Sequence, residues 1–142
     1  MTDSEAITAL LHEYAFRLDT GDLDGVAALF HNAELRSSTH DRVRTGTSEA
    51  RAIYDSVELG SDGTPGTMHQ ISNVTVRVDG DDASGRCYFT VLQVTAQGLH
   101  PILAGEYHDR FRRVDGEWQF AERTFVPKLI GDLSGHMKGR TE

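Results

Sequence analysis

MHQISNVTVRVDGDDASGRCYFTVLQVT, residues 68–95, is the stretch that decides the architecture. Val, Ile, Tyr, Phe and Thr dominate both halves. Asp79-Gly80-Asp81 separates them with strong turn chemistry, because Gly accepts the positive φ that a tight hairpin needs. Antiparallel strands are therefore predicted over 68–78 and 84–95. A second pair follows, 102–114 and 117–128, hinged on Asp115-Gly116. Strands of about 12 residues are roughly twice the common length, and so long a sheet has to twist and curl.

Toward the N-terminus the period changes from two to that of a helix. Thr2 and Glu5 make a capping box ahead of Ile7, Leu10, Leu11, Tyr14, Ala15 and Leu18, a spacing that paints one helical face. Gly21 can take the left-handed cap, and Asp22 opens a short helix with Leu23, Val26, Ala27, Leu29 and Phe30 inward. A brief strand over 33–38, a break at Thr45-Gly46-Thr47 and a third helix over 48–59, burying Ile53, Tyr54 and Val57, complete this half. The loop 60–66, rich in Gly and holding Pro65, is a candidate lid. Helices first and a meander second is the order of an α+β fold. The expectation is one domain over 1–142: a cone-shaped α+β barrel with N-terminal helices packed in the concavity of a curved, mostly antiparallel sheet.

Composition excludes several functions. Lys and Arg number 14 against 22 Asp and Glu, a net charge of −8, and no run of basic residues with interleaved aromatics attracts a phosphate backbone, so no nucleic acid partner is expected. Cys87 is the single cysteine, which rules out an internal disulfide and thiolate zinc clusters. MTDSEAITALLHEYAF has neither a basic leader nor an uninterrupted apolar stretch, and no apolar run reaches the ~18 residues of a membrane span, so a cytoplasmic protein without a membrane partner is expected. A calcium loop with Gly25 in its sixth position would start at Thr20 and end at His31, neither a carboxylate. His12-Glu13 has no second His at helical spacing, and no nucleophile elbow or phosphate-binding glycine fingerprint occurs. Neither a metal nor another cofactor is expected.

What remains is a set of ionisable and phenolic groups on elements facing one interior. Tyr14 lies on the apolar stripe of the first helix, where a buried hydroxyl needs a partner. Asp19 lies in that helix's last turn, where the macrodipole disfavours a carboxylate; it either serves a site or caps and faces water. His69 opens the first long strand, and a carboxylate such as Asp19 beside it would fix its tautomer and raise its basicity. Tyr107 and Phe111 mark the interior of the third strand, with Glu106, His108, Arg110 and Arg112 on the solvated face. On the last strand, strict alternation sets Trp118, Phe120, Thr124 and Val126 opposite Gln119, Ala121, Arg123 and Phe125. Arg123, among apolar neighbours, either binds an anionic substrate group or pairs with a carboxylate. His12, His31, His40 and His136 fall on polar faces or in loops, and His100 precedes Pro101 in a turn, which makes them weak candidates.

YAFRLDTGDLDGVAALF near the start and DGEWQFAER near the end, together with the long strands between, resemble the SnoaL-like branch of the nuclear transport factor 2-like superfamily. The resemblance implies a pocket between helices and concave sheet, and a homodimer through the open sheet face. It also implies that Tyr14, Asp19 and His69 stand where the dehydratases of the superfamily keep their acid-base residues. Those enzymes carry a second His or Asp on the next strand; here the stretch reads Val91-Leu92-Gln93-Val94, and Gln93 can hydrogen-bond a substrate but cannot move a proton. The expected activity is a cofactor-independent, dehydratase-like acid-base lyase or isomerase acting in the cone pocket on a hydrophobic small molecule, polycyclic or carbonyl-containing. Tyr14, Asp19 and His69 would be catalytic, and Gln93, Tyr107 and Arg123 would bind substrate. The alternative is a non-catalytic binding or dimerisation domain of the same fold.

Overall fold

The computed structural model describes residues 1–138. Helix α1 spans Asp3–Asp19 and begins with the expected capping box: Glu5 N–H donates to Thr2 Oγ1 at 3.1 Å, and Thr2 N–H donates to Glu5 Oε1 at 3.2 Å. Ile7, Leu11, Tyr14, Ala15 and Leu18 are its buried side. Asp22 caps α2, Leu23–Ala28, by accepting from Gly25 N–H. Two short strands follow, β1 (Glu34–Ser37) and β2 (His40–Thr45), then α3 (Gly46–Ile53), which tightens into a 3-10 turn over Tyr54–Ser56. The long strands are β3 (Thr67–Asp79), β4 (Asp82–Thr95), β5 (Gly98–Val114) and β6 (Glu117–Ile130).

These form one sheet of order β2-β1-β6-β5-β4-β3. Every pairing is antiparallel except β1 with β6. Helix α1 packs across β3 and β6 on the concave side, so the fold is the expected α+β arrangement. No helix among the described residues is long and apolar enough to cross a membrane.

The structure corrects the sequence reading at four places. Strand β2 was not expected, because HDRVRT is an exposed edge strand whose charged side chains carry no alternating apolar signal. The third helix is shorter than 48–59, since backbone from Val57 onward is extended. Strand β5 starts at Gly98, and Pro101 lies inside it beside a bulge that turns Ile102 inward, 1% exposed. Strict alternation also fails in β6. Phe111 pairs with Phe120 and Arg110 with Glu122, leaving Ala121 as an extra residue. This bulge puts Trp118, Phe120 and Arg123 on the same buried side.

The glycine loop does not border the cavity that lies between α1, the 3-10 turn and the concave face of the sheet. It is closed on itself, Asp62 Oδ1 accepting from both the backbone and the hydroxyl of Thr64, and it sits against the α1–α2 joint. A Cβ on Gly21, whose φ is +81°, would lie 2.1 Å from the Gly63 carbonyl oxygen, so only glycine allows this approach. The elements over the cavity are instead the 3-10 turn and the C-terminal segment, joined by Lys138 N–H donating to Ser56 O and Glu58 N–H donating to His136 O.

Candidate active site

Between α1, the 3-10 turn and the concave face of the sheet lies a cavity of about 480 Å³. Leu18, Leu35, Phe89, Leu103 and Phe125 give it an apolar wall. Into this wall are set His69, His136, Tyr14, Tyr54 and Tyr107.

Asp19 is committed to His69. Its Oδ1 accepts from His69 Nδ1 at 2.6 Å and from the Thr67 hydroxyl at 3.1 Å, while Oδ2 accepts from the His69 backbone N–H at 2.7 Å. The position looked unfavourable in the sequence because the macrodipole is negative there. These donors from the first turn of β3 answer it. With Nδ1 donating to Asp19, the basic nitrogen is Nε2, which has no hydrogen-bond partner among the described residues, on a side chain only 4% exposed. A histidine held by a carboxylate with its other nitrogen unengaged in a cavity wall is suited to accept a proton.

The phenols form a second group. Tyr14 and Tyr54 share a hydrogen bond between hydroxyls at 2.9 Å, and the Tyr107 ring stands edge-on to that of Tyr14. Burial pushes the Tyr54 hydroxyl well above its ordinary value, reinforced by Tyr14, and burial likewise raises Tyr107. Both remain neutral O–H donors near pH 7. Sequence reading placed Tyr54 in the core and missed its place in the cavity wall.

Two of the residues expected to bind substrate do other work. Arg123 is fully buried beneath the cavity and makes a bidentate pair with Asp109, at 2.8 and 3.0 Å, in a cage of rings that includes Tyr107 at 3.8 Å and Tyr14 at 4.4 Å. Burial acts against its charge, but the Asp109 carboxylate holds the guanidinium above its ordinary value. It does not border the cavity, so the ion-pair alternative is the correct one. Gln93 does not border the cavity either; its amide donates to the carbonyls of Pro65, at 3.3 Å, and Gly135, at 3.0 Å.

His136, a weak candidate in the sequence, is the larger correction. It is 4% exposed and lines the cavity with its ring 6.1 Å from that of His69. Its Nδ1 and the Arg123 Nη1 are the buried side-chain polar atoms without a hydrogen-bond partner among the described residues. Leaving such an atom unpaired costs about 1–3 kcal/mol. Burial, and then the neighbouring His69, push His136 down to about 4, with Asp19 pulling the other way. A signal was present: Leu133, His136 and Met137 have the i, i+3, i+4 spacing of one turn, and the backbone makes that turn, Met137 N–H donating to Leu133 O.

At the cavity mouth the hairpin β1–β2 contributes Arg42 and Arg44, neither paired with a carboxylate among the described residues, together with His40. No group of three or more His, Cys, Asp or Glu converges on a metal-binding geometry among the described residues.

Helices packed into the concavity of a curved six-stranded sheet, with a cavity between the two, is the nuclear transport factor 2-like fold. Within that class the chain belongs to the SnoaL-like domain family, whose model matches residues 1–124. A protein of unknown function from Mycobacterium tuberculosis is similar at 27% identity and TM-score 0.73, covering 89% of this chain and 72% of that one. A Novosphingobium aromaticivorans protein provisionally named a scytalone dehydratase is similar at 24% identity and TM-score 0.73 over 100% of both chains. A nuclear transport factor 2-like protein with a cystatin-like fold, from the same genus, gives 23% and 0.74, covering 88% of this chain and 81% of that one. These last two likenesses establish the fold alone. No curated protein matches the chain.

Proposed function

We propose that the protein is an acid-base lyase or isomerase acting on a hydrophobic small molecule that carries a carbonyl group. The observation that supports this best is His69, buried in the cavity wall with Nε2 unengaged and held from behind by the half-buried Asp19. In this reading His69 takes a proton from the carbon beside the carbonyl and returns it to a second carbon or to a departing hydroxyl. The Tyr14–Tyr54 pair donates toward the oxygen on which charge develops, and Tyr107 packs against the bound molecule. The name of the Novosphingobium aromaticivorans relative agrees with a dehydration.

A thermal-shift screen over steroid, polyketide and terpenoid carbonyl compounds tests the reading, because a ligand bound only by the folded state raises the melting temperature. At least one compound is expected to stabilise both the wild type and His69→Ala, and to be converted only by the wild type. Stabilisation without conversion by the wild type would leave the non-catalytic binding domain as the correct reading, and conversion by both would remove His69 from the role of base.

Arg42 and Arg44 favour a substrate with an anionic substituent at its outer end, in a chain whose first 62 residues hold 5 basic and 12 acidic side chains. At low salt, 2-naphthoate is expected to bind about tenfold more weakly to Arg42→Gln/Arg44→Gln than to the wild type, with 2-naphthol unaffected. Self-association through the sheet is part of the same proposal. Met68, Tyr88 and Leu129 lie exposed on β3, β4 and β6, and light scattering should give twice the chain mass of 15.7 kDa.

A further inference from the structure

Proton abstraction beside a carbonyl leaves negative charge on the oxygen, and the largest catalytic benefit comes from a donor already aimed at the place where that charge appears. Beside the Tyr14–Tyr54 pair, strand β4 adds no donor where it runs past the cavity. Leu92 and Val94 are apolar there, and Gln93 is occupied by the carbonyls of Pro65 and Gly135. The C-terminal segment supplies a candidate. His136 stands in the cavity wall facing His69, almost completely buried, with Nδ1 unpartnered and no hydrogen bond to either ring nitrogen among the described residues.

Its backbone is held from several directions. Glu58 N–H donates to His136 O at 2.7 Å, and Lys138 N–H donates to Ser56 O at 2.6 Å. The Gln93 amide fixes Gly135, Val57 bridges to Met137, and Leu133 is buried. In so firmly placed a side chain Nδ1 is sealed off and Nε2, equally unbonded, is the nitrogen that a ligand in the cavity can reach.

We propose that His136 is a catalytic residue that donates a hydrogen bond to the substrate's carbonyl oxygen and to the enolate formed from it, making with His69 a site of two imidazoles. The inference rests on the acid-base reading above. His69 Nε2 takes the proton, and the C–H electron pair becomes the new C=C bond of the enolate. The carbonyl π pair moves onto the oxygen, which His136 N–H stabilises without giving up its proton. As the enolate collapses, His69 returns its proton to carbon, completing an isomerisation, or to a leaving hydroxide, completing loss of water. Burial, and then the neighbouring His69 once it has taken the proton, keep His136 neutral, and a neutral imidazole carries one N–H in either tautomer.

The experiment compares 2-naphthol, whose oxygen mimics that of an enolate, with naphthalene, which has none. Affinities are measured for the full-length wild type, His136→Leu and His136→Gln. The preference for 2-naphthol over naphthalene is expected to fall about tenfold in His136→Leu and to be largely restored by the amide donor of His136→Gln, naphthalene binding staying within about twofold. In ¹⁵N-histidine-labelled wild type, a ring resonance assigned to His136 by its loss in His136→Gln should move with 2-naphthol and not with naphthalene. This second readout does not depend on His136→Leu folding. Equal losses for both probes, an undiminished preference, or a silent His136 resonance overturns the proposal while leaving the cavity reading intact. If neither probe binds the wild type, the cavity reading fails and the role of His136 falls with it.

Discussion

Arg123→Ala is expected to lose about 3–5 kcal/mol of stability, because it strands the Asp109 carboxylate in the interior. That corresponds to a fall of roughly 10–15 °C in Tm for a chain of this size. Burial pushes the Asp109 carboxyl up against the pull of Arg123, so without the guanidinium the acid has to bind a proton or draw in water. The cage of Tyr14, Phe30, Tyr107 and Phe120 also loses its centre, and two of these rings, Tyr14 and Tyr107, border the cavity. Arg123→Met combined with Asp109→Leu removes both charges and keeps most of the volume. Urea unfolding should show this pair well above the single alanine variant. Equal loss in both would mean that aromatic packing around the guanidinium stabilises the fold more than the ion pair does.

His69→Ala is expected to lower kcat/KM by about 10²- to 10⁴-fold, the usual worth of a positioned proton-transfer group, while ligand affinity changes only severalfold. Asp19→Asn should fall in the same direction. An amide keeps one acceptor oxygen, but its NH₂ must then face either the His69 backbone N–H or the ring N–H and Thr67 hydroxyl, all of which donate to the carboxylate. The imidazole then loses the tautomer and orientation that leave Nε2 free. A loss in Asp19→Asn with no loss in His69→Ala would contradict the assigned roles.

The features legible in the sequence were those set by local chemistry. Thr2 and Glu5 announced α1, Asp22 announced α2, and Asp79-Gly80 with Asp115-Gly116 announced the hairpins of the sheet. Asp19 is conspicuous by standing against the helix dipole, and His69 by opening a strand directly after the glycine loop. What escaped depends on tertiary geometry. The Ala121 bulge inverts the alternation of β6, so no period-two reading could place Arg123 beside Trp118 and Phe120 on the buried side. Strand β2 is made of exposed charged residues and is held by pairing with β1. His136 lies in a turn after the last strand, and the packing of Leu133 with the bonds to Ser56, Glu58 and Gln93 carries it over the cavity.

The central claim is that Asp19 and His69 form a base able to remove a proton beside a carbonyl in this cavity. Exchange of the α-protons of 2-tetralone in D₂O, followed by NMR, measures that step without requiring knowledge of the natural substrate. Exchange is expected to exceed the buffer rate in proportion to protein concentration, and to fall at least about a hundredfold in His69→Ala. Exchange by the wild type at the buffer rate, or by His69→Ala at the wild-type rate, would contradict it.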